Sequence, residues 1–296
     1  MSPADVHIGV ESRLIDDYYR FSQRETVGPA QIETGVTRSF RSLEGLVDGL
    51  LASSESTHVV VCHGNPDLGL LVPFTQNSPH NATGLLAGAL VDLVNAMAHG
   101  TLPPFPPDPR LLDAGARMGV DTATVLRLLG KLLLLRTTPP LRRVIHFRAC
   151  NFGRRTSMLA GYKLLFDAAL VTGPTCRMLY VEVLPGPPRP GASIQQLGGQ
   201  APTTQRTRRR VFGPASDGTA GPLLLDVRDL DTHTHVDTPL SLLDHPAQAP
   251  RWGELLTGRW TNHTANRFVL PLLWQNDESS YHCPLEERYR EHFLHV

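Results

Sequence analysis

THVVVCHGNP, residues 57–66, is the stretch whose reading decides the fold. Three consecutive valines form a short β-branched run, which Gly64, Asn65 and Pro66 close with residues that turn the chain. A run that is apolar throughout, without alternation, suits a strand buried on both faces of a parallel sheet. Upstream, SFRSLEGLVDGLLASS (39–54) sets Phe40, Leu43, Leu46, Val47, Leu50 and Leu51 on one helical face, so residues 1–57 read as a lead-in ending in an amphipathic helix.

Downstream the pattern repeats. TGLLAGALVDLVNAMAHG (83–100) carries an apolar stripe with Gly100 as its stop, and PPFPPDP (103–109) is an extended loop. DTATVLRLLGKLLLL (121–135) is a helix with Asp121 as its cap, broken by TTPP. RRVIHFRAC (142–150) is the next strand. It turns through NFG into a helix, TSMLAGYKLLFDAAL (156–170), and RMLYVEVL (177–184) is a further strand. Helix and strand patterns that alternate in this way predict an α/β fold, a three-layer sandwich with a mostly parallel central sheet.

Residues 1–184 are expected to form the core. PGPPRPGASIQQLGGQAPTTQRTRRR (185–210) has almost no large apolar residues, so 185–212 reads as a flexible linker or loop. In the remainder, 213–296, GPLLLDVRDL (221–230) and RFVLPLLW (267–274) read as strands, and PLEERYREHFLHV (284–296) reads as a short amphipathic helix. This part is expected to complete the sheet and the substrate cleft.

Composition narrows the function. The 296 residues hold 28 Lys and Arg against 28 Asp and Glu, so no global field draws the chain to nucleic acid or to a membrane. The start, MSPADVHIGVESRLIDD, does not read as a signal peptide, and no apolar run is long enough to span a bilayer. Cys62, Cys150, Cys176 and Cys283 are scattered without C-x-x-C spacing, which argues against a disulfide framework or zinc knuckle and for a reducing cytoplasm.

Two strand ends carry the candidate chemistry. His63 follows one strand and Cys150 ends another, so neighbouring strands would bring both to the carboxyl edge of the sheet, where open α/β folds bind ligands. A cysteine attacks as its thiolate and needs a base or a positive field. The helix beginning near Thr156 would aim its amino end at Cys150, and His63 could share the thiol proton. Gly64 lets backbone approach a substrate carbonyl, and its N–H is a candidate oxyanion donor. Asn151 and Arg148 flank Cys150 and are candidate substrate contacts.

Taken together, THVVVCHGN and VIHFRACNFG resemble the histidine and cysteine strands of the caspase, gingipain and CHAT-type cysteine peptidases. The resemblance covers roughly residues 35–183, and LLFDAALVTGPT (164–175) also resembles the helix and strand after the cysteine in CHAT-like members. It implies a caspase-like cysteine endopeptidase with Cys150 as nucleophile and His63 as general acid/base. Backbone N–H groups of Gly64 and Cys150 would then be the oxyanion donors. No cofactor is implied. The expected partners are a protein or peptide substrate and a regulatory protein. The chain lacks the Q-A-C-x-G signature of true caspases, and the segment between His63 and Cys150 is long. Two readings stand for the linker around Arg206, Arg208, Arg209 and Arg210: an uncut solvated loop, or, because several members of the resembled superfamily are cut after their catalytic cysteine, a site of clipping between about residues 185 and 212.

Other readings stand beside this one. A catalytically silent interaction domain on the same scaffold fits the same strands. HVVVCHGNPDLG also resembles the His-Gly oxyanion loop of α/β-hydrolase esterases, but Ala149-Cys150-Asn151-Phe152-Gly153 sets the glycine one place too late for a nucleophile elbow. Cys62 should point away from His63 into the core, and His146 reads as a core histidine. His233 and His235, with Asp231 and Asp237 near them, form a weak metal-binding pattern without a third placed ligand.

Overall fold

The structure, a computed structural model, describes residues 3–9, 24–27, 30–76, 109, 113, 115–116, 119–185, 195–196, 209–212, 223–229, 268–275, 280–282 and 293–296. The chain divides into two compact units, Met1–Arg177 with Arg290–Val296, and Met178–Tyr289.

The first unit is built on strands β1 (Ala4–Gly9), β2 (Arg24–Val27), β3 (Ala30–Phe40) and β4 (Thr57–Val61). A two-stranded hairpin comes next, β5 (Gly64–Asn65) and β6 (Gly69–Leu70), and then β7 (Val144–Arg148) and β8 (Leu170–Pro174). Its described helices are α1 (Leu43–Leu51), α2 (Thr122–Thr137) and α3 (Thr156–Leu165). β3, β1, β4, β7 and β8 run parallel, in the spatial order β8-β7-β4-β1-β3. β2 adds antiparallel to β3 at one edge. At the other edge the late strand β15 (Phe293–His295) adds antiparallel to β8. The chain leaves β1 toward β3 on one side and then crosses to β4 on the other. That reversal is the doubly wound switch point, beside which open α/β sheets form their clefts.

Period-two alternation explains how one sheet buries two faces. Val60, Cys62, Ile145, Phe147, Ala149 and Val171 share a core with apolar side chains of α1, α2 and α3. Val6, Ile8, Val59 and Val61, which alternate with that set, are fully buried as well. Both faces are therefore covered, as a parallel sheet demands. The structure thus has the expected α/β architecture with a mostly parallel central sheet.

Local chemistry sets the element boundaries. Ser42 caps α1 by accepting from the Gly45 N–H at 3.1 Å, and Asp121 caps α2 by accepting from the Thr124 N–H at 2.7 Å. At the far end of α2 the buried Arg143 donates to the carbonyls of Leu135 (3.0 Å) and Thr138 (3.2 Å), which satisfies groups the helix cannot. Residues 83–100, expected to be helical, lie outside the described residues.

Two parts of the first unit differ from expectation. The lead-in holds two strands of the parallel sheet, β1 and β3. ADVHIG is polar for a central strand, yet all six residues are buried. They can be, because the polar side chains find partners inside. Asp5 accepts from Ser53 Oγ (2.7 Å), the Val36 N–H (2.9 Å) and the Arg38 guanidinium, and His7 Nε2 lies 3.2 Å from His58 Nδ1. At the other end of the chain, Phe293–His295, read as the tail of a helix, pairs as a strand. Val296 and Val171 exchange backbone hydrogen bonds at 3.0 and 3.2 Å.

The second unit contains a six-stranded sheet in the order β10-β11-β12-β9-β13-β14. Its strands are β9 (Arg177–Pro185), β10 (Gln195–Gln196), β11 (Arg209–Phe212), β12 (Leu223–Asp229), β13 (Phe268–Gln275) and β14 (Ser280–His282). β9, β12 and β13 overlap RMLYVEVL, GPLLLDVRDL and RFVLPLLW, the stretches read as strands, but they build this separate sheet. Of 213–296, expected to complete the central sheet, only β15 does so among the described residues. Part of the expected linker is also ordered by pairing: Arg209 and Arg210 stand opposite Asp226 and Leu225 in an antiparallel ladder. Arg206 and Arg208 lie outside the described residues.

Candidate functional site

β4 and β7 are neighbours and parallel, with Val61 opposite Arg148. The Cys62 N–H reaches the Arg148 carbonyl at 3.3 Å. Continued two residues further, that register sets His63 level with Cys150 at the carboxyl edge of the sheet, next to the switch point. Both candidates follow adjacent strands on the same edge, as the sequence reading expected.

Glycine makes the two strand ends touch. A Cβ built on Gly64 would sit 2.6 Å from the Ala149 Cβ, 3.1 Å from the Ala149 carbonyl carbon and 3.2 Å from the Cys150 nitrogen. Any side chain at 64 would therefore push the His-Gly turn off the Ala-Cys turn. Beyond Gly64 the chain makes the β5–β6 hairpin, closed by Asn65 Oδ1, which accepts from the N–H groups of Asp67 (2.8 Å) and Leu68 (3.1 Å). Gly69 takes a left-handed φ of 74°. The return strand then fixes the histidine's own backbone, since the Leu71 N–H donates to the His63 carbonyl at 2.9 Å.

The turn after Cys150 is equally determined. Asn151 has a left-handed φ of 55°, a conformation that asparagine tolerates better than most residues. Its N–H donates to the Cys176 carbonyl at 2.8 Å, and the Phe152 N–H donates to the Ala149 carbonyl at 3.2 Å. A 3-10 turn over Phe152–Arg154 leads into α3. Gly153 lies so close to β8 that a Cβ there would meet the Gly173 oxygen at 2.1 Å. The amino end of α3 therefore comes after Cys150 with only one tight turn between.

The individual side chains fall into distinct settings. His63 is partly exposed, whereas Cys150 is 1% exposed, so the thiol is covered in this conformation. Asn151 Oδ1 is buried with no hydrogen-bond donor among the described residues. Arg148 does not line an open surface. It is buried, donates to the Phe147 carbonyl at 3.1 Å, and stacks its guanidinium 4.3 Å from the ring centre of Phe293 on β15. Cys62 packs in the core, on the face opposite the one toward which His63 continues. His146 is a core residue with Nδ1 2.9 Å from Thr172 Oγ1. Burial, aided by the nearby Arg148 charge, lowers its pKa to about 3, which keeps the ring neutral near pH 7.

Sequence reasoning missed the residues that tie the two strand ends together. Tyr162 on α3 is fully buried, and its hydroxyl accepts from the Leu70 N–H at 3.1 Å. Asp67, at the hairpin tip, forms an ion pair with Arg155 at the start of α3. In the sequence Tyr162 is one more member of an apolar helical stripe. A buried phenol, however, needs a hydrogen-bond partner, and that requirement is the available signal.

Among the described residues no group of three or more His, Cys, Asp or Glu could hold a metal ion. His233 and His235 lie outside them. Likewise, no described helix is long and apolar enough to cross a membrane. The described fold is an open α/β sheet in which the candidates His63 and Cys150 follow neighbouring parallel strands beside its switch point. No family model matches the chain, and no curated protein and no solved structure shows significant similarity to it.

Proposed function

We propose that the chain is a caspase-like cysteine endopeptidase in which Cys150 attacks a peptide carbonyl and His63 moves the proton. The observation that carries this reading is the contact of Gly64 with the Ala149–Cys150 backbone, which holds the His-Gly and Ala-Cys turns together on adjacent parallel strands. In the proposed reaction His63 takes the thiol proton as sulfur bonds to the carbonyl carbon. The oxyanion is held by backbone N–H groups at Gly64 and Cys150. His63 then returns the proton to the leaving amine, and water hydrolyses the acyl-enzyme. Asn151 Oδ1, a buried acceptor beside the nucleophile, is a candidate partner for a substrate N–H. Arg148, buried and stacked on Phe293, is not a substrate contact in this reading.

The thiol is covered, so a substrate reaches it only when that cover opens. This burial is also what favours the second reading, a catalytically silent interaction domain on the same scaffold. Incubating wild type, Cys150→Ala and His63→Ala with a mixed peptide library, read by mass spectrometry, separates the two. Cleavage by wild type alone supports the peptidase. No cleavage by any of the three, together with Cys150 labelling by iodoacetamide no faster than Cys62 or Cys176, supports the silent domain.

A further inference from the structure

We propose that Tyr162 is a positioning residue: its hydroxyl holds the hairpin after His63 in register with the turn that carries Cys150. This rests on the peptidase reading above and adds to it the device that fixes the geometry of the pair.

Strand register alone sets the two backbones side by side, but His63 lies two residues past the end of β4, on a turn. Its carbonyl is bound by the Leu71 N–H at 2.9 Å, and the adjacent Leu70 N–H is bound by Tyr162 Oη at 3.1 Å. The hairpin's return strand is thus gripped on one side by His63 and on the other by α3. Tyr162 in turn packs on the residues that flank Cys150. Its ring centre lies 5.0 Å from that of Phe152 and 5.8 Å from that of Phe147, both close to edge-on. Two hydrogen bonds and two ring contacts therefore run from the His63 backbone to both sides of Cys150. A second tether takes the same route at the surface. Asp67 and Arg155, each more than half exposed, pair the hairpin tip with the first turn of α3. The hydroxyl is the sensitive point, because the Leu70 N–H that it receives is buried and cannot turn to water instead.

The test reads Cys150 alkylation by iodoacetamide against pH, peptide by peptide, at temperatures well below unfolding. It uses the full chain as wild type, His63→Ala, Tyr162→Phe and Asp67→Asn. Tyr162→Phe keeps the ring and its packing and removes only the oxygen. The expected result is a 10- to 100-fold slower alkylation of Cys150 near pH 6.5, with the profile moved toward that of His63→Ala and little change at Cys62 or Cys176. Asp67→Asn, which threatens no buried contact, should move the profile the same way by about 2- to 5-fold. A purely structural role for Tyr162 would lower the melting temperature and leave the Cys150 profile of the folded protein alone. That result, with His63→Ala still altering the profile, overturns the positioning role and spares the peptidase reading. If His63→Ala leaves the profile unchanged, the dyad fails and the positioning role fails with it.

Discussion

One strand, β4, connects two histidine sites of opposite character. At its amino end His58 lies in a sealed polar cluster with Asp5, His7 and Ser53, while past its carboxyl end His63 sits partly open on a turn. In the sealed cluster Asp5, Ser53 and the facing nitrogens of His7 and His58 find partners inside, while His58 Nε2 is buried with no partner among the described residues. The Asp5 carboxylate is buried, yet donors from Ser53, Arg38 and Val36 outweigh that burial and hold its pKa below the ordinary carboxylate range. Burial drives the His7 pKa down to about 4 and that of His58 to about 3, with the neighbouring His7 and Arg143 charges adding to the effect at His58. Two neutral imidazoles that share a hydrogen bond do structural work. At the carboxyl edge a partly exposed imidazole lies level with a cysteine, and the buried acceptor Asn151 Oδ1 has no donor among the described residues. The same strand thus shows how exposure separates a structural histidine, sealed and held neutral by burial, from a candidate catalytic one that solvent can reach.

The comparison breaks most sharply on the two deletions that should exchange nothing. Cys150→Ala is expected to lower peptide cleavage by at least about 10³-fold, with urea unfolding almost unchanged. Asp5→Ala should do the reverse. It strands the Ser53 hydroxyl and Val36 N–H and removes the partner of Arg38, costing about 3–5 kcal/mol by chemical denaturation. Residual cleavage in the folded fraction should be near wild type.

Gly64→Ala sharpens the picture, because it acts on stability and chemistry at once. The new methyl would overlap the Ala149 Cβ at 2.6 Å, so the strand ends must part, with a destabilisation of about 1–3 kcal/mol. Cys150 alkylation should lose its dependence on His63. A variant as reactive as wild type would mean that the contact does not set the geometry.

Acid should act on the sealed cluster. His7 and His58 bind a proton readily when unfolded, near pH 6.5, but only near pH 4 and 3 when folded. The unfolded state therefore holds more protons in this window, and stability falls as pH drops from about 6.5 toward 4. The slope is on the order of 1.4 kcal/mol per pH unit for each histidine. Below the ordinary carboxylate range the stabilisation from Asp5 is lost as well. His7→Asn should flatten the slope across pH 4–6.5, as measured by urea titration at each pH. The smallest effect belongs to the surface ladder, in which Lys131 meets Glu44 at 3.0 Å and Asp48 at 2.7 Å; Lys131→Ala should cost at most about 1 kcal/mol and less in high salt.

How much of this was legible depends on how local each cause is. The strand before His63 could be read because an unbroken apolar run ends at turn residues, the signature of burial on two faces. The strand before Cys150 could be read because Val144, Ile145 and Phe147 lead into the turn residues Asn151 and Gly153, although His146 and Arg148 interrupt the run. β1 could not, since Asp5 and His7 are acceptable in a central strand only through Ser53, Arg38 and His58, which lie far along the chain. β15 is three residues long and carries no period of its own. Its assignment comes from β8, whose open edge needs a partner. The candidate pair was visible as two strand ends in the right order. The tie between them was not, because the Tyr162–Leu70 hydrogen bond spans 92 residues and involves a backbone donor that any residue type except proline would supply.

The late arrival of β15 has a consequence for how the molecule is made. On the ribosome, β8 is synthesised long before Phe293–His295, and the chain between them builds the second unit. Throughout that interval the row of N–H and C=O groups on β8 that β15 will cover has no strand of its own to meet. Such a row is a template for any extended segment nearby. Nascent chains on neighbouring ribosomes carry identical segments, so the first unit should be most prone to wrong pairing during synthesis and least prone once the last strand has closed its edge.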